Sequence, residues 1–176
     1  MNALNCSIEI KKKIDKDEKK RILEINESNL VTNGGQLHYK GILQHDFVVL
    51  VKHQEVVVGY ALLKEAFLAE NDIYVMQVAV DNGFKHLGIG TKMYNYTYNY
   101  LKRYKYFTAN VNPNNKVSQD FHEKCGFKII GENNLGLVYV KQVEKDVKLG
   151  LNAANKESFK INKFKIKLYN ENKEMN

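Results

Sequence analysis

Gly88 and Gly90, one residue apart where an apolar strand gives way to an amphipathic helix, have the spacing that most directly implies chemistry. The stretch Val78–Thr91 reads VAVDNGFKHLGIGT, an apolar strand end, a short polar turn, then a helix opened by Gly88-Ile89-Gly90. Glycines at such a junction let the backbone approach a ligand closely and take conformations closed to other residues. The first N–H groups of a helix have no acceptor within it, and the helix dipole adds positive potential there. The combination is an anion site suited to a diphosphate, and Lys85 and His86 just upstream supply further donors or charge. Two familiar phosphate-binding patterns do not fit. A GxGxxG fingerprint needs glycine where Met93 stands, and a GxxxxGK[ST] loop needs lysine where Ile89 follows Gly88.

A second constellation lies at Asn115–Phe127, NKVSQDFHEKCGF. Its apolar spacing predicts a helix over 115–124 ended by Gly126, a favoured C-terminal cap. His122 near its end has an ordinary pKa of ~6.5, so either protonation state is reachable near neutrality.

The elements that must position these motifs follow from periodicity. Residues 5–10 alternate weakly as an opening strand. Asp15 and Glu18 have the spacing of a capping box, followed by the apolar stripe Ile22, Leu23 and Ile25 of a first helix. Residues 31–45 carry glycines and histidines without a period and read as a loop or broken helix. Phe47–Val51 and Val56–Leu63 are rich in β-branched residues around the polar step Lys52–Glu55, a hairpin signal. Ile73–Val80 reads as a central strand. Ile89, Met93, Tyr96, Tyr100 and Tyr104 recur at helical spacing and predict the core stripe of the second helix. Phe107–Val111, Phe127–Ile130 and Leu137–Val143 read as further strands. In the polar tail, Phe159, Ile161, Phe164, Ile166 and Leu168 alternate with polar residues, so an added strand is expected there. The layout is α/β, a central sheet covered by helices.

At 176 residues, 44% hydrophobic and 27% charged, the chain has the size and composition of one soluble globular domain. No apolar run approaches the ~20 residues of a membrane-spanning helix, and the N-terminus does not read as a signal peptide. Cys6 and Cys125 form no metal-ligand or disulfide pattern, which makes a metal site unexpected and a cytoplasmic location the default. The net charge of +7 is scattered among acids rather than gathered in a stripe, so a solvated surface is expected rather than a nucleic-acid face.

Lys85-His86-Leu87-Gly88-Ile89-Gly90 resembles the [Q/R]xxGx[G/A] turn of the GNAT superfamily of acyl-CoA N-acyltransferases. Asn115, Ser118, Gly126 and Phe127 fall in register with that family's NxxAxxxYxxxGF motif, and Val58-Gly59-Tyr60-Ala61 is similar to its hairpin strand. The resemblance covers residues 45–143 well and the N-terminal part in outline. It implies a GNAT-type mixed central β-sheet flanked by α-helices, with a domain at 1–143 and a short polar extension at 144–176. It also implies an N-acetyltransferase that binds acetyl-CoA through Val78, Val80, Lys85, His86, Leu87, Gly88, Ile89, Gly90, Thr91, Asn115 and Ser118. The acetyl group would pass to a primary amine, on a small molecule or peptide, by direct attack on the thioester. Many relatives pair through edge strands, so a homodimer is open to the chain. Lys85 stands where the family has Gln or Arg and lacks their planar side-chain geometry. His122 replaces the tyrosine thought to protonate the departing thiolate, and a histidine can also donate a proton. That replacement keeps a second reading open, a non-catalytic acyl-CoA-binding or regulatory module. For the base that deprotonates the ammonium, strand alternation offers Tyr74 or Asp72, and Glu65 on the neighbouring strand.

Overall fold

The structure, a computed structural model, describes residues 5–30, 44–68, 70–142 and 167–168. Residues 31–43 of the loop expected at 31–45, and all of the tail strand except its last two residues, lie outside them. Two compact units make up the chain, Met1–Lys64 with Val75–Leu101, and Glu65–Tyr74 with Lys102–Asn176.

The first unit holds strands β1 (Ser7–Lys11), β2 (Phe47–His53), β3 (Val56–Glu65) and most of β4 (Asp72–Val80), in that order across the sheet. Its helices are α1 (Lys16–Leu30) and α2 (Ile89–Tyr100). The capping box forms as the sequence predicts. Glu18 N–H donates to Asp15 Oδ1 at 2.8 Å, and Asp15 N–H donates to Glu18 Oε2 at 3.1 Å. Ile22 and Ile25 then pack on Val48, Leu50, Tyr60 and Leu62, one face of the sheet. The opposite face meets α2, where Ile89 lies beside Val51 and a Cβ on Gly59 would reach Ile89 at 3.4 Å. The β2–β3 hairpin turns at Gln54 and Glu55, both at positive φ (50° and 64°), the handedness that matches strand twist.

The stripe on α2 differs from the one the tyrosines predict. Ile89, Met93, Tyr94, Thr97, Tyr98 and Leu101 are buried, whereas Tyr96 is 39% and Tyr100 58% exposed. The helix ends at Tyr100, so Tyr104 is not on it. From Ile89 the i+4 row runs through 93, 97 and 101, and the adjoining row through 94 and 98. Thr97 and Leu101 complete one core row and Tyr94 and Tyr98 the other, while Tyr96 and Tyr100 turn outward.

The second unit begins from the Asp72–Tyr74 end of β4 and continues in the order β4-β5-β7-β6-β8. Here β5 is Tyr106–Val111, β6 Lys128–Asn133, β7 Gly136–Gln142 and β8 Lys167–Leu168, with helix α3 at Lys116–Lys124. β8 is the described end of the expected tail strand, pairing antiparallel with Gly131 and Glu132 of β6. Gly136 opens β7 at φ 124°, and a Cβ there would lie 2.5 Å from the Val111 carbonyl oxygen. Asp72 is completely buried and organises the loop before β4. Its carboxylate accepts from Phe67 N–H (2.9 Å), Leu68 N–H (3.2 Å) and Thr108 Oγ1 (2.6 Å).

Candidate active site

In the first unit, the second half of β4 is only half-covered. Met76, Gln77, Val78 and Val80 are all half-buried, unusual for an inner strand. At its end Asp81 starts a 3-10 turn at Asn82–Phe84: Gly83 N–H donates to Asp81 Oδ1 (2.8 Å) and Phe84 N–H to the Asp81 carbonyl (2.9 Å). Lys85 is extended, and His86 then takes φ 62°, a left-handed conformation that few non-glycine residues adopt. Gly88 follows at φ 75° and serves as the N-cap of α2. No side chain caps this helix and its first turn holds no acid. The amides of Ile89, Gly90 and Thr91 therefore have no acceptor inside the helix and no capping oxygen beside it. Lys85, His86, Leu87 and Thr91 are exposed around them, while Ile89 is buried and pins the helix start to the sheet. Nothing lies within 4 Å of a Cβ placed on Gly88, so its backbone conformation, not crowding, demands glycine. The arrangement leaves a row of helix-start N–H groups unconsumed beside the exposed Lys85 and His86, which suits a diphosphate.

In the second unit, Asn115 caps α3 by accepting from Ser118 N–H at 3.1 Å. The helix ends in a Schellman turn: Phe127 N–H donates to the His122 carbonyl (3.0 Å), Gly126 N–H to that of Glu123 (2.9 Å), and Gly126 sits at φ 85°. The Asn and Gly of the motif are thus accounted for by helix-end geometry, and the Phe127 ring by its burial against His122. His122 is 3% exposed, with its ring 5.1 Å from that of Phe127 and 5.6 Å from that of Tyr139. Its Nδ1 lies 2.7 Å from the Ser118 carbonyl oxygen, which can only accept, so Nδ1 carries a proton. Burial holds the imidazole below its ordinary pKa, opposed by that hydrogen bond. The resting ring is therefore neutral with an unprotonated Nε2, a proton acceptor and not a donor at that nitrogen.

Tyr74 is buried, stacked on Phe67 with centroids 4.4 Å apart, and its hydroxyl donates to Asn110 Oδ1 at 3.4 Å. Burial and the neighbouring Asp72 charge push its pKa up to about 12. A phenolate base there is populated at only ~10⁻⁵ at pH 7. Asp72 spends its carboxylate on the loop before β4, and Glu65 faces Arg103 at 3.6 Å. The sequence left out the residues that brace the β4–α2 turn, Arg21, Asn29 and Asp81. Arg21 pairs with Asp81, and Asn29 Nδ2 donates to the Val80 carbonyl at 3.1 Å. Only the Asp-Asn-Gly order at 81–83 signalled any of this in advance. Among the described residues no cluster of histidine, cysteine or carboxylate side chains could hold a metal, and no helix is long and apolar enough to cross a membrane.

The family model described as the GNAT family of acetyltransferases matches residues 18–127, stretches that fall in both units. No curated protein matches the chain by sequence. Solved structures share the fold at low identity. An acetyltransferase of the GNAT family from Staphylococcus aureus Mu50 is 15% identical, with a TM-score of 0.65 over 78% of this chain and 100% of that one. The PaiA N-acetyltransferase of Thermoplasma acidophilum, solved in complex with coenzyme A, is 15% identical, with a TM-score of 0.63 over 77% and 99%. YncA from Salmonella typhimurium, solved with its cofactor acetyl-CoA, is 17% identical, with a TM-score of 0.60 over 83% and 97%.

Proposed function

This chain belongs to the GNAT acetyltransferase family, whose chemistry is acyl-CoA-dependent acetyl transfer, and on that premise we propose that it acetylates a primary amine using acetyl-CoA. The observation that carries the proposal is the start of α2, a helix entered through left-handed Gly88 with no side-chain cap. Acetyl-CoA supplies the activated acetyl thioester. The amides of Ile89, Gly90 and Thr91 would hold its diphosphate, with Lys85 adding positive charge, His86 a ring N–H donor, and Leu87 lining the approach. Backbone groups of Val78 and Val80, on the half-covered end of β4, would align the pantetheine arm and stabilise charge developing on the carbonyl oxygen. Asn115 and Ser118 would contribute through the start of α3, whose geometry they set. Tyr74 would act as a neutral phenol, orienting a group by hydrogen bond.

For His122 the proposal is the family tyrosine's task, returning a proton to the departing thiolate. The Nδ1–H bond to Ser118 sets a condition: only the imidazolium can donate from Nε2, and burial makes that form scarce at neutral pH. Its burial among aromatic rings favours a second reading, a purely structural histidine that packs the end of α3.

Thiol release from acetyl-CoA, screened across amine classes, tests the activity; no release with any amine, alongside intact coenzyme A binding, would leave the binding-module reading standing. For His122, His122→Ala is expected to lower kcat about 10- to 100-fold with coenzyme A affinity nearly intact, and His122→Tyr to recover much of the loss. A folded His122→Ala protein with wild-type turnover would refute the proton-donor role.

A further inference from the structure

We infer that Arg21 and Asp81 are positioning residues for the diphosphate-binding turn, a claim that rests on the cofactor reading above. The turn needs outside support because little of it is buried: residues 82, 83 and 85–88 are exposed and Phe84 is only half-covered. Burial therefore cannot fix the path between β4 and Gly88, and a segment with few packed contacts moves without global unfolding.

Asp81 supplies most of the fixing. Its N–H donates to the Val58 carbonyl (2.8 Å), its carbonyl accepts from Phe84 N–H, and its Oδ1 accepts from Gly83 N–H. Its other carboxylate oxygen takes the Arg21 guanidinium. Arg21 is itself held from three sides. Nε donates to the Val57 carbonyl (3.1 Å), one terminal nitrogen to Glu24 (2.9 Å) and the other to Asp81. Two further ties join α1 to the same backbone: Asn29 Nδ2 to the Val80 carbonyl, and Asn82 Nδ2 to the Ser28 carbonyl at 3.3 Å. One helix face thus grips the strand end and the turn together, sixty residues away in sequence.

The geometry assigns Arg21 its part through shape. Its charge is met by Asp81 and Glu24, and three acceptors in different directions need a planar fork that lysine cannot supply. Loss of the fork would let Asp81 rotate, release Gly83 and shift the amides that follow.

The test is calorimetric titration with coenzyme A, with melting of the unliganded protein measured in parallel. Wild-type binding is read first, and its absence would sink the cofactor reading before any variant is made. Given wild-type binding, Arg21→Gln and Asp81→Asn are each expected to weaken it about tenfold. Arg21→Lys should recover less than half of that loss, and the double variant should be no weaker than Arg21→Gln alone. Ile25→Val, which loosens α1 without touching the turn, should lower the melting temperature and leave affinity unchanged, separating positioning from general destabilisation. A folded Arg21→Lys or Asp81→Asn protein binding within about twofold of wild type would overturn the inference. So would losses that add in the double variant, or an equal loss in Ile25→Val. Should Arg21→Gln fail to fold, Arg21→Lys and Asp81→Asn decide alone.

Discussion

Two helices of this protein begin in opposite ways. α3 starts on Asn115, whose side chain satisfies the Ser118 amide, whereas α2 starts on a left-handed glycine with no side-chain oxygen at hand. α1 sides with α3, closing its start with the Asp15–Glu18 capping box. A side-chain cap stabilises a helix by roughly 1 kcal/mol, so the chain forgoes that stabilisation at one place only among its described helices. The difference teaches where an external anion can substitute for a cap. A helix start optimised for stability has its donors consumed, and one reserved for a ligand keeps them available.

The sharpest way to break the contrast is Gly88→Asn. Asparagine tolerates left-handed φ, so the fold should survive with a melting temperature within a few degrees of wild type. Its side chain would enter the space in front of the amides, and coenzyme A binding should fall by about 100-fold or more. Wild-type affinity by calorimetry would refute the assignment of the α2 start to the diphosphate.

The α1 start should answer to pH. Burial alone would raise the Glu18 pKa, but hydrogen bonds from Lys11, the Asp15 amide and Lys52 outweigh it and hold the carboxyl down at about 2. A carboxyl depressed on folding contributes stability that is fully present above its ordinary value near 4.5 and is lost as pH falls from there towards 2. Glu18→Gln should therefore cost up to about 3 kcal/mol in urea unfolding at pH 7 and much less near pH 2. A difference independent of pH across that range would contradict the assignment. The smallest effect belongs to α3: Asn115→Ala should lose about 1 kcal/mol and Asn115→Asp nearly none. Equal losses would mean that Asn115 does more than cap.

Much of this was legible from residue types. The capping box, the hairpin around Lys52–Glu55, the Gly88 junction and the Asn115–Gly126 helix each follow from a local rule, because spacing alone fixes which groups can meet. Family order extended those local signals to the whole sheet. What stayed hidden depends on contacts distant in sequence. Arg21 gives no local sign that it will meet Asp81, and nothing in the segment around it distinguishes this arginine from the neighbouring lysines. The α2 stripe failed for a different reason. Spacings of three and four put Tyr96, Tyr100 and Tyr104 on the stripe with Ile89 and Met93, and Thr97, a poor candidate by type, proved buried with its hydroxyl donated to the Met93 carbonyl at 2.8 Å. His122 was visible as a histidine in place of tyrosine, but its tautomer is set by a carbonyl one helical turn back, which periodicity places nearby without fixing the bond.

Gly136 carries a consequence for how this chain can evolve. The clash is with backbone, which cannot swing aside as a flexible side chain would, and φ 124° excludes side chains independently. Any residue but glycine at that site should strongly destabilise the fold, while its neighbours Asn134 and Leu135, both solvent-facing, accept many replacements. Lineages descending from this sequence would drift freely along the rest of the β6–β7 bend and stay frozen at a single letter.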